Sequence, residues 1–89
     1  MKRLTSKEEE IMGHFWTNGP MFVKELLDYY KEPKPHFNTL STIVRGLEEK
    51  GFVYHKTFGN SYQYYPIITG KEYSKGTLRN VIAKYFNNS

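Results

Sequence analysis

Apolar residues recur at helical spacing between residues 36 and 51, and the polar residues between them are unusual. The apolar positions lie at i, i+3, i+4 and i+7, which is one face of a helix: Leu40, Ile43, Val44 and Leu47. The other face carries small hydrogen-bonding side chains and one guanidinium: Asn38, Thr39, Ser41, Thr42 and Arg45. A merely solvated helix face usually mixes Glu and Lys. Small polar residues beside an arginine favour a helix that closely approaches a polar surface such as the DNA major groove; the alternative is an ordinary amphipathic helix.

The same periodicity predicts two helices before this one. Thr5 and Glu8 have the spacing of a capping box and begin a first helix over about residues 5–17, which Asn18-Gly19-Pro20 ends. Its core face consists of Ile11, Met12, Phe15 and Trp16. A second, short helix is predicted over Val23 to Tyr30. The pair Met21-Phe22 between them is too short to be predicted as a strand, although it could form a brief bridge.

Two runs of aromatic and β-branched residues around Gly59-Asn60 predict a β-hairpin over Phe52 to Phe58 and Ser61 to Ile67. A two-residue turn would pair Phe58 with Ser61, Lys56 with Gln63 and Tyr54 with Tyr65; a longer loop would shift this register. Three helices followed by a hairpin is the element order of a winged helix-turn-helix domain. In that fold the hairpin is the wing, and Lys56 with the tip at 59–61, including Asn60, would contact the phosphate backbone.

The pattern becomes helical again from Lys71 onward. Its apolar stripe has the spacing i, i+3, i+4, i+7 and i+8: Leu78, Val81, Ile82, Tyr85 and Phe86. Because three helices and a hairpin already supply a core, we expect this stripe to face a second copy of the chain. The alternative is that the helix folds back onto its own domain. The predicted fold is thus mainly α with a small β-hairpin: a winged helix-turn-helix domain over 1–68 and a C-terminal, dimerising helix over 69–89.

The charge of the chain is distributed unevenly. Residues 1–49 hold seven Lys/Arg against eight Asp/Glu, whereas residues 50–89 hold six Lys/Arg and Glu72 as the one acidic residue. Such polarity would steer one side of the molecule towards a polyanion, although small basic domains often owe their charge to solubility. The absence of cysteine fits a reducing compartment, and no apolar run approaches the ~20 residues of a membrane span. We therefore expect a cytoplasmic protein.

Enzymatic chemistry finds little support in the sequence. The chain has three His, no Cys, no Gly-rich phosphate loop, no Gly-x-Ser-x-Gly and no His-x-x-x-His pair. We expect no catalytic residue, no metal and no cofactor. A more serious alternative to DNA binding is a winged-helix module for protein–protein interaction, because one fold can serve different functions.

Residues 4–73 resemble the penicillinase-repressor family, the winged-helix repressors of β-lactamase, methicillin-resistance and copper-transport operons. The resemblance rests on short pieces in a fixed order: Leu4-Thr5, Glu10-Ile11-Met12, Phe15-Trp16, Gly19-Pro20, Asn38-Thr39-Leu40-Ser41-Thr42-Ile43, Leu47-Glu48-Glu49-Lys50-Gly51-Phe52-Val53 and Tyr62-Gln63-Tyr64-Tyr65-Pro66. The resemblance implies a homodimeric transcriptional repressor that binds double-stranded DNA. Its third helix, about 36–50, would enter successive major grooves of a palindromic operator. Family members are released from DNA by a regulatory protease or by metal. The groove-facing candidates that it implies are His36, Asn38, Thr39, Ser41, Thr42 and Arg45.

The chain departs from the family pattern in two respects. The family usually places an arginine directly before the leucine equivalent to Leu47, but Gly46 stands there and Arg45 lies one residue earlier. One residue is ~100° around a helix, so the contact of that arginine is expected to be re-aimed or lost. Family members also continue further, with additional dimerisation helices and the cleavage site, so either this is a fragment or dimerisation differs. The cysteines of copper-responsive relatives are absent.

Overall fold

The computed structural model describes residues 3–73. Three helices are followed by a hairpin, and a short strand from the first half of the chain completes a small antiparallel sheet. The elements are α1 (Ser6–Asn18), β1 (Met21–Phe22), α2 (Val23–Asp28), α3 (Phe37–Glu49), β2 (Val53–Phe58) and β3 (Ser61–Pro66). This arrangement is a winged helix and confirms the fold class that the sequence predicts.

Local capping explains where α1 begins and ends. The Thr5 hydroxyl accepts the amide proton of Glu8 at 3.1 Å, and a Glu8 carboxylate oxygen accepts that of Thr5 at 2.8 Å. This is the predicted capping box, with Thr5 as N-cap, so the helix starts at Ser6. At the other end Gly19 has a φ of 81° and donates its N–H to the carbonyl of Phe15 at 2.8 Å. Only glycine adopts that backbone conformation without strain.

The second helix is shorter than the sequence predicts, because it ends at Asp28 rather than Tyr30. The backbone N–H groups of Tyr29 and Tyr30 donate to the carbonyls of Leu26 and Leu27, three residues earlier, at 3.1 Å each. Such i to i−3 bonds tighten and terminate a helical turn. The third helix spans Phe37–Glu49, one residue shorter at each end than expected, with the His36 side chain accepting the Asn38 amide proton as N-cap.

The hairpin has the two-residue turn, which confirms the predicted register. Phe58 pairs with Ser61, Lys56 with Gln63 and Tyr54 with Tyr65, and Gly59 in the turn has a φ of 59°. The strands are one residue shorter at their outer ends than predicted. The sequence left β1 open as a brief bridge; it pairs Met21 with Tyr64 of β3, so β3 is the central strand of the sheet.

One hydrophobic core joins the helices to the inner face of the sheet. Its most deeply buried large side chains come from every helix and from the start of the hairpin: Phe15, Phe52, Ile11, Met12, Leu26, Leu47, Val44 and Val53. Strands of an antiparallel sheet alternate between an inner and an outer face, so Val53 and Tyr64 are buried while Tyr54 is exposed. The core therefore fixes which face of the hairpin points towards α3.

After β3 the chain turns back over α1. The indole Nε1–H of Trp16 donates to the carbonyl of Ile68 at 2.8 Å, and residues 70–73 are helical. Thr69 and Glu72 form a second reciprocal capping box at this helix start, with bonds of 2.9 and 3.0 Å. The predicted apolar stripe, Leu78, Val81, Ile82, Tyr85 and Phe86, lies outside the described residues.

Candidate nucleic-acid interface

The geometry of α3 separates an apolar face from a polar one. Leu40, Val44 and Leu47 are buried, and their packing directs the opposite face of the helix to solvent. Asn38, Ser41 and Arg45 lie at i, i+3 and i+7, so they share one stripe on the polar face. This stripe presents an amide, a hydroxyl and a guanidinium, three groups that can donate hydrogen bonds to nucleic-acid oxygens and nitrogens.

A cleft of about 350 Å³ lies beside this stripe. Its walls are the polar stripe of α3, the tip and second strand of the hairpin, and the junction of β1 with α2. The lining residues are Phe22, Val23, Lys24, Phe37, Asn38, Ser41, Arg45, Asn60, Ser61, Tyr62 and Tyr64. The structure thus brings together Asn38, Ser41, Arg45 and Asn60, four of the residues that the sequence predicts for DNA binding.

The cleft has the electrostatic character of an anion-binding surface. Lys24 and Arg45 contribute cationic groups, and none of its lining residues is acidic. The polar lining consists otherwise of hydroxyl and amide side chains, which are suited to phosphate and base-edge contacts. Arg45 is exposed, so its guanidinium can reach a ligand without first leaving a buried partner.

The other predicted DNA-binding residues do not line this cleft. His36 is exposed at the start of α3, where its Nδ1 accepts the Asn38 amide proton at 3.1 Å. The exposed Thr42 donates its hydroxyl proton to the Asn38 carbonyl at 2.9 Å. Thr39 is exposed, one residue (~100° around the helix) from Asn38. Lys56 pairs with Gln63 on the outer face of the hairpin, with its Nζ 4.9 Å from the centroid of the Tyr65 ring.

An ion-pair geometry connects the hairpin to α3. The Nδ1 of His55 lies 2.8 and 2.9 Å from the two carboxylate oxygens of Glu48. The His55 ring also stacks on Tyr62, with centroids 4.2 Å apart and planes at 22°. Since Tyr62 lines the cleft, the contacts from Glu48 to His55 and from His55 to Tyr62 position one cleft wall relative to the polar stripe of α3.

Tyr64 lines the cleft as a neutral phenol. Burial raises the pKa of its hydroxyl above the ordinary value, the Glu48 carboxylate raises it further, and the Arg45 guanidinium partly opposes them. The phenol therefore remains protonated at neutral pH and retains a proton to donate.

A second ion pair holds α3 against α1. The Nζ of Lys50 lies 2.7 and 2.9 Å from the two oxygens of Glu8, which is buried. Burial alone would raise the pKa of Glu8, but hydrogen bonds from Lys50 and Thr5 and the Lys50 charge outweigh it, so the pKa is lowered. The carboxylate is therefore ionised at neutral pH and anchors the C-terminal end of α3.

Sequence reasoning missed six residues of the cleft: Phe22, Val23, Lys24, Phe37, Tyr62 and Tyr64. Tyr62 carried a usable signal, because alternation along β3 places it on the same face as Tyr64. Phe37 had a weaker one, as the second residue of the predicted third helix. For Lys24 the sequence has no signal, because its position beside the hairpin depends on how α2 packs against α3.

Two classes of site receive no support from the part of the chain that the structure describes. Residues 3–73 contain no group of three or more His, Asp or Glu side chains arranged to hold a metal ion. Within the same range, no helix has the length and apolar character needed to cross a membrane.

The chain matches a known protein family over almost its whole length. The family model described as penicillinase repressor matches residues 4–89, which is nearly the entire chain. A search of curated proteins found no match to the chain.

Proposed function

The chain belongs to the penicillinase repressor family, and we propose that it binds a palindromic operator as a dimer, with α3 of each copy in a major groove. Members of this family are DNA-binding transcriptional repressors rather than enzymes. The finer proposal concerns how this chain contacts DNA, and it rests on the cleft between α3 and the hairpin.

The observation that carries the proposal is the cleft between α3 and the hairpin, which has cationic but no acidic lining residues. A major groove about 12 Å wide admits a helix, and Asn38, Ser41 and Arg45 give α3 a polar stripe to present there. Asn38 and Arg45 are the residues best equipped to hydrogen-bond base edges or phosphates, and in our proposal Thr42 contacts a thymine methyl or a phosphate. The exposed Thr39 and the exposed His36, which caps the start of α3, complete the proposed contact set.

The hairpin supplies the second contact. Asn60 at its tip lies across the cleft from the α3 stripe, and Lys56 projects from its outer face. In our proposal the tip follows the sugar–phosphate backbone beside the groove that α3 occupies, and its contacts position the protein without reading sequence.

A fluorescence-anisotropy titration tests the function directly. We expect the full chain to bind duplex DNA from the promoter upstream of its own gene more tightly than a random duplex of the same length. Affinity should also fall steeply as salt rises, because each phosphate contact releases counterions. Equal affinity for the two duplexes would refute specific DNA binding.

The protein-interaction alternative has one observation in its favour. Tyr54 and Phe58 on the hairpin are 41% and 51% exposed, and exposed aromatic side chains are common at protein interfaces. An interface of this kind would respond little to salt, so the salt series of the same titration distinguishes the two functions.

The dimer requires its own test. We propose that the apolar stripe of residues 78–86 forms the interface, and sedimentation equilibrium should detect a concentration-dependent dimer. A chain that stays monomeric at high concentration would contradict this proposal.

A further inference from the structure

We propose that a joint between α1 and the helical turn at 70–73 sets the spacing between the two operator half-sites. The joint consists of Glu9 and Trp16 on α1, and Ile68, Gly70 and Tyr73 after the sheet. This inference rests on the proposed dimeric function and assigns a geometric role to residues outside the DNA-contacting cleft.

Trp16 makes the first contact of the joint. Its indole N–H donates to the Ile68 carbonyl at 2.8 Å, across 52 residues of sequence. Ile68 and Trp16 are both half-buried against the core. A directional hydrogen bond at a partly buried site holds the chain in one place relative to α1 as it leaves β3.

Tyr73 makes the second contact, one helical turn later. Its hydroxyl donates to a Glu9 carboxylate oxygen at 2.7 Å, and a bond to a charged acceptor is stronger than one between neutral groups. Its ring lies 5.7 Å from the Trp16 ring and 6.1 Å from the Phe52 ring, between centroids. The segment 68–73 is therefore attached to α1 at two points, which defines a direction as well as a position.

Gly70 allows this turn to lie against the indole. A Cβ built at Gly70 would be 3.2 Å from Trp16 Cδ2 and 3.4 Å from its Cγ and Cε3. A Cβ at these distances would require the indole or the turn to shift by a few tenths of an ångström. The capping box of Thr69 and Glu72 begins the helix at the same point, so the close packing and the helix direction are set together.

A small change of direction here has a large effect at a distance. The sequence predicts that this helix continues to residue 89, and residues 74–89 lie outside the described residues; twenty helical residues would span about 30 Å. A tilt of about 10° would move its far end by roughly 5 Å, which exceeds the ~3.4 Å step between base pairs. The joint therefore controls the separation of the two recognition helices in a dimer built on residues 78–86.

Selection from a pool of random DNA duplexes tests the proposal and requires no known operator sequence. The native chain should enrich paired half-sites with one spacing. Gly70→Leu should enrich the same half-site sequence at a spacing shifted or spread by one base pair or more. Lys71→Leu, which adds the same leucine at the neighbouring exposed position, should keep the native spacing.

The outcomes separate the joint from the proposed function. If Gly70→Leu retains the single native spacing, the role of the joint is overturned while DNA binding stands. If the native chain enriches no paired sites, the dimeric function fails and the joint proposal fails with it.

Hydrogen exchange in the free native protein provides a test that does not depend on DNA. The Trp16 indole N–H and the Tyr73 amide N–H, which donates to the Thr69 carbonyl at 3.0 Å, should exchange at least tenfold more slowly than in an unstructured peptide. Trp16→Phe should accelerate exchange at Tyr73 while leaving the amide of the buried Val44 unchanged. Peptide-like exchange of both groups in the native protein would overturn the proposal.

Discussion

Lys50 at the end of α3 contacts both carboxylate oxygens of Glu8, the residue that also completes the capping box of α1. One side chain thus links the start of α1 to the end of α3. Because Glu8 is buried and Lys50 mostly so, loss of either partner leaves the other in a poorly hydrated position.

Removing the lysine from this pair should destabilise the fold. We expect Lys50→Met to lower the free energy of unfolding by about 1.5–3 kcal/mol, the range for a hydrogen bond to a charged group. Urea denaturation followed by circular dichroism measures it. Lys7→Met, at an exposed position in the first turn of α1, is the matched control and should change stability by less than ~0.5 kcal/mol.

The Glu8–Lys50 ion pair also makes the stability of the fold depend on pH. The pKa of Glu8 is lowered in the folded protein from an ordinary value of 4.5, so its contribution is fully present above about pH 4.5. It is lost as the pH falls through the lowered, folded value. Denaturation series at pH 7 and pH 3 should show the native chain losing its stability advantage over Glu8→Gln in acid. An advantage that stays constant would contradict the assignment.

Gly46 is a weak point of α3 that a substitution can repair. A Cβ at this position meets nothing within 4 Å, and glycine inside a helix costs about 1 kcal/mol relative to alanine. Gly46→Ala should therefore raise the free energy of unfolding by about 0.5–1 kcal/mol in a urea titration. A loss of stability would mean that the fold requires position 46 to have no side chain.

Gly59 in the hairpin turn should respond in the opposite direction. Its surroundings are equally open, but its φ of 59° is in the left-handed region. An alanine there is strained by about 1 kcal/mol, so Gly59→Ala should lower stability in the same urea titration. Gly46→Ala serves as the control, since it adds the same methyl group without backbone strain.

Arg45 allows a sharp test of the cleft. Arg45→Ala should weaken binding to the preferred duplex by about 1–3 kcal/mol if the guanidinium reads a base, and should relax preference at one base pair. If it contacts a phosphate instead, affinity should fall evenly across sequences and the salt slope should drop by about 1. Anisotropy titrations at several salt concentrations distinguish these cases, with Lys7→Ala as a control outside the cleft. An unchanged affinity would place Arg45 outside the interface.

Asn38 should contribute to sequence preference. Its amide can bond an adenine at two points, so Asn38→Ala should cost about 1–3 kcal/mol at the preferred duplex. Against a random duplex the loss should be much smaller. Competition binding with both duplexes measures the ratio, and an equal loss on the two would assign Asn38 to the backbone instead.

Much of the fold could be predicted because its signals are local. The Thr5–Glu8 capping box, the termination at Gly19 and the two-residue turn at Gly59-Asn60 each depend on residues within a few positions of one another. The length of α2 could not be predicted in this way. Apolar spacing continues to Tyr30, and only the i to i−3 hydrogen bonds of the folded chain show that the helix has ended.

The candidate site likewise has a part that local sequence patterns predict and a part that they do not. Helical periodicity alone placed Asn38, Ser41 and Arg45 on one polar face of α3. The participation of Lys24, however, depends on how α2 packs beside the hairpin, and the contact of His55 with Glu48 joins two elements across the sheet edge. These arrangements follow from packing of the shared core, which no short window of sequence contains.

The sequence by itself determined the three helices and the hairpin, their order and the polar stripe of α3, and it predicted the hairpin register for a two-residue turn, since periodicity and turn chemistry act over a few residues. Only the tertiary structure decided which residues meet: Glu8 with Lys50, Trp16 with Ile68, and the α3 stripe with the hairpin tip. The physical reason is that contacts between residues distant in sequence form when apolar faces pack into one core, and the geometry of that packing depends on all the elements at once.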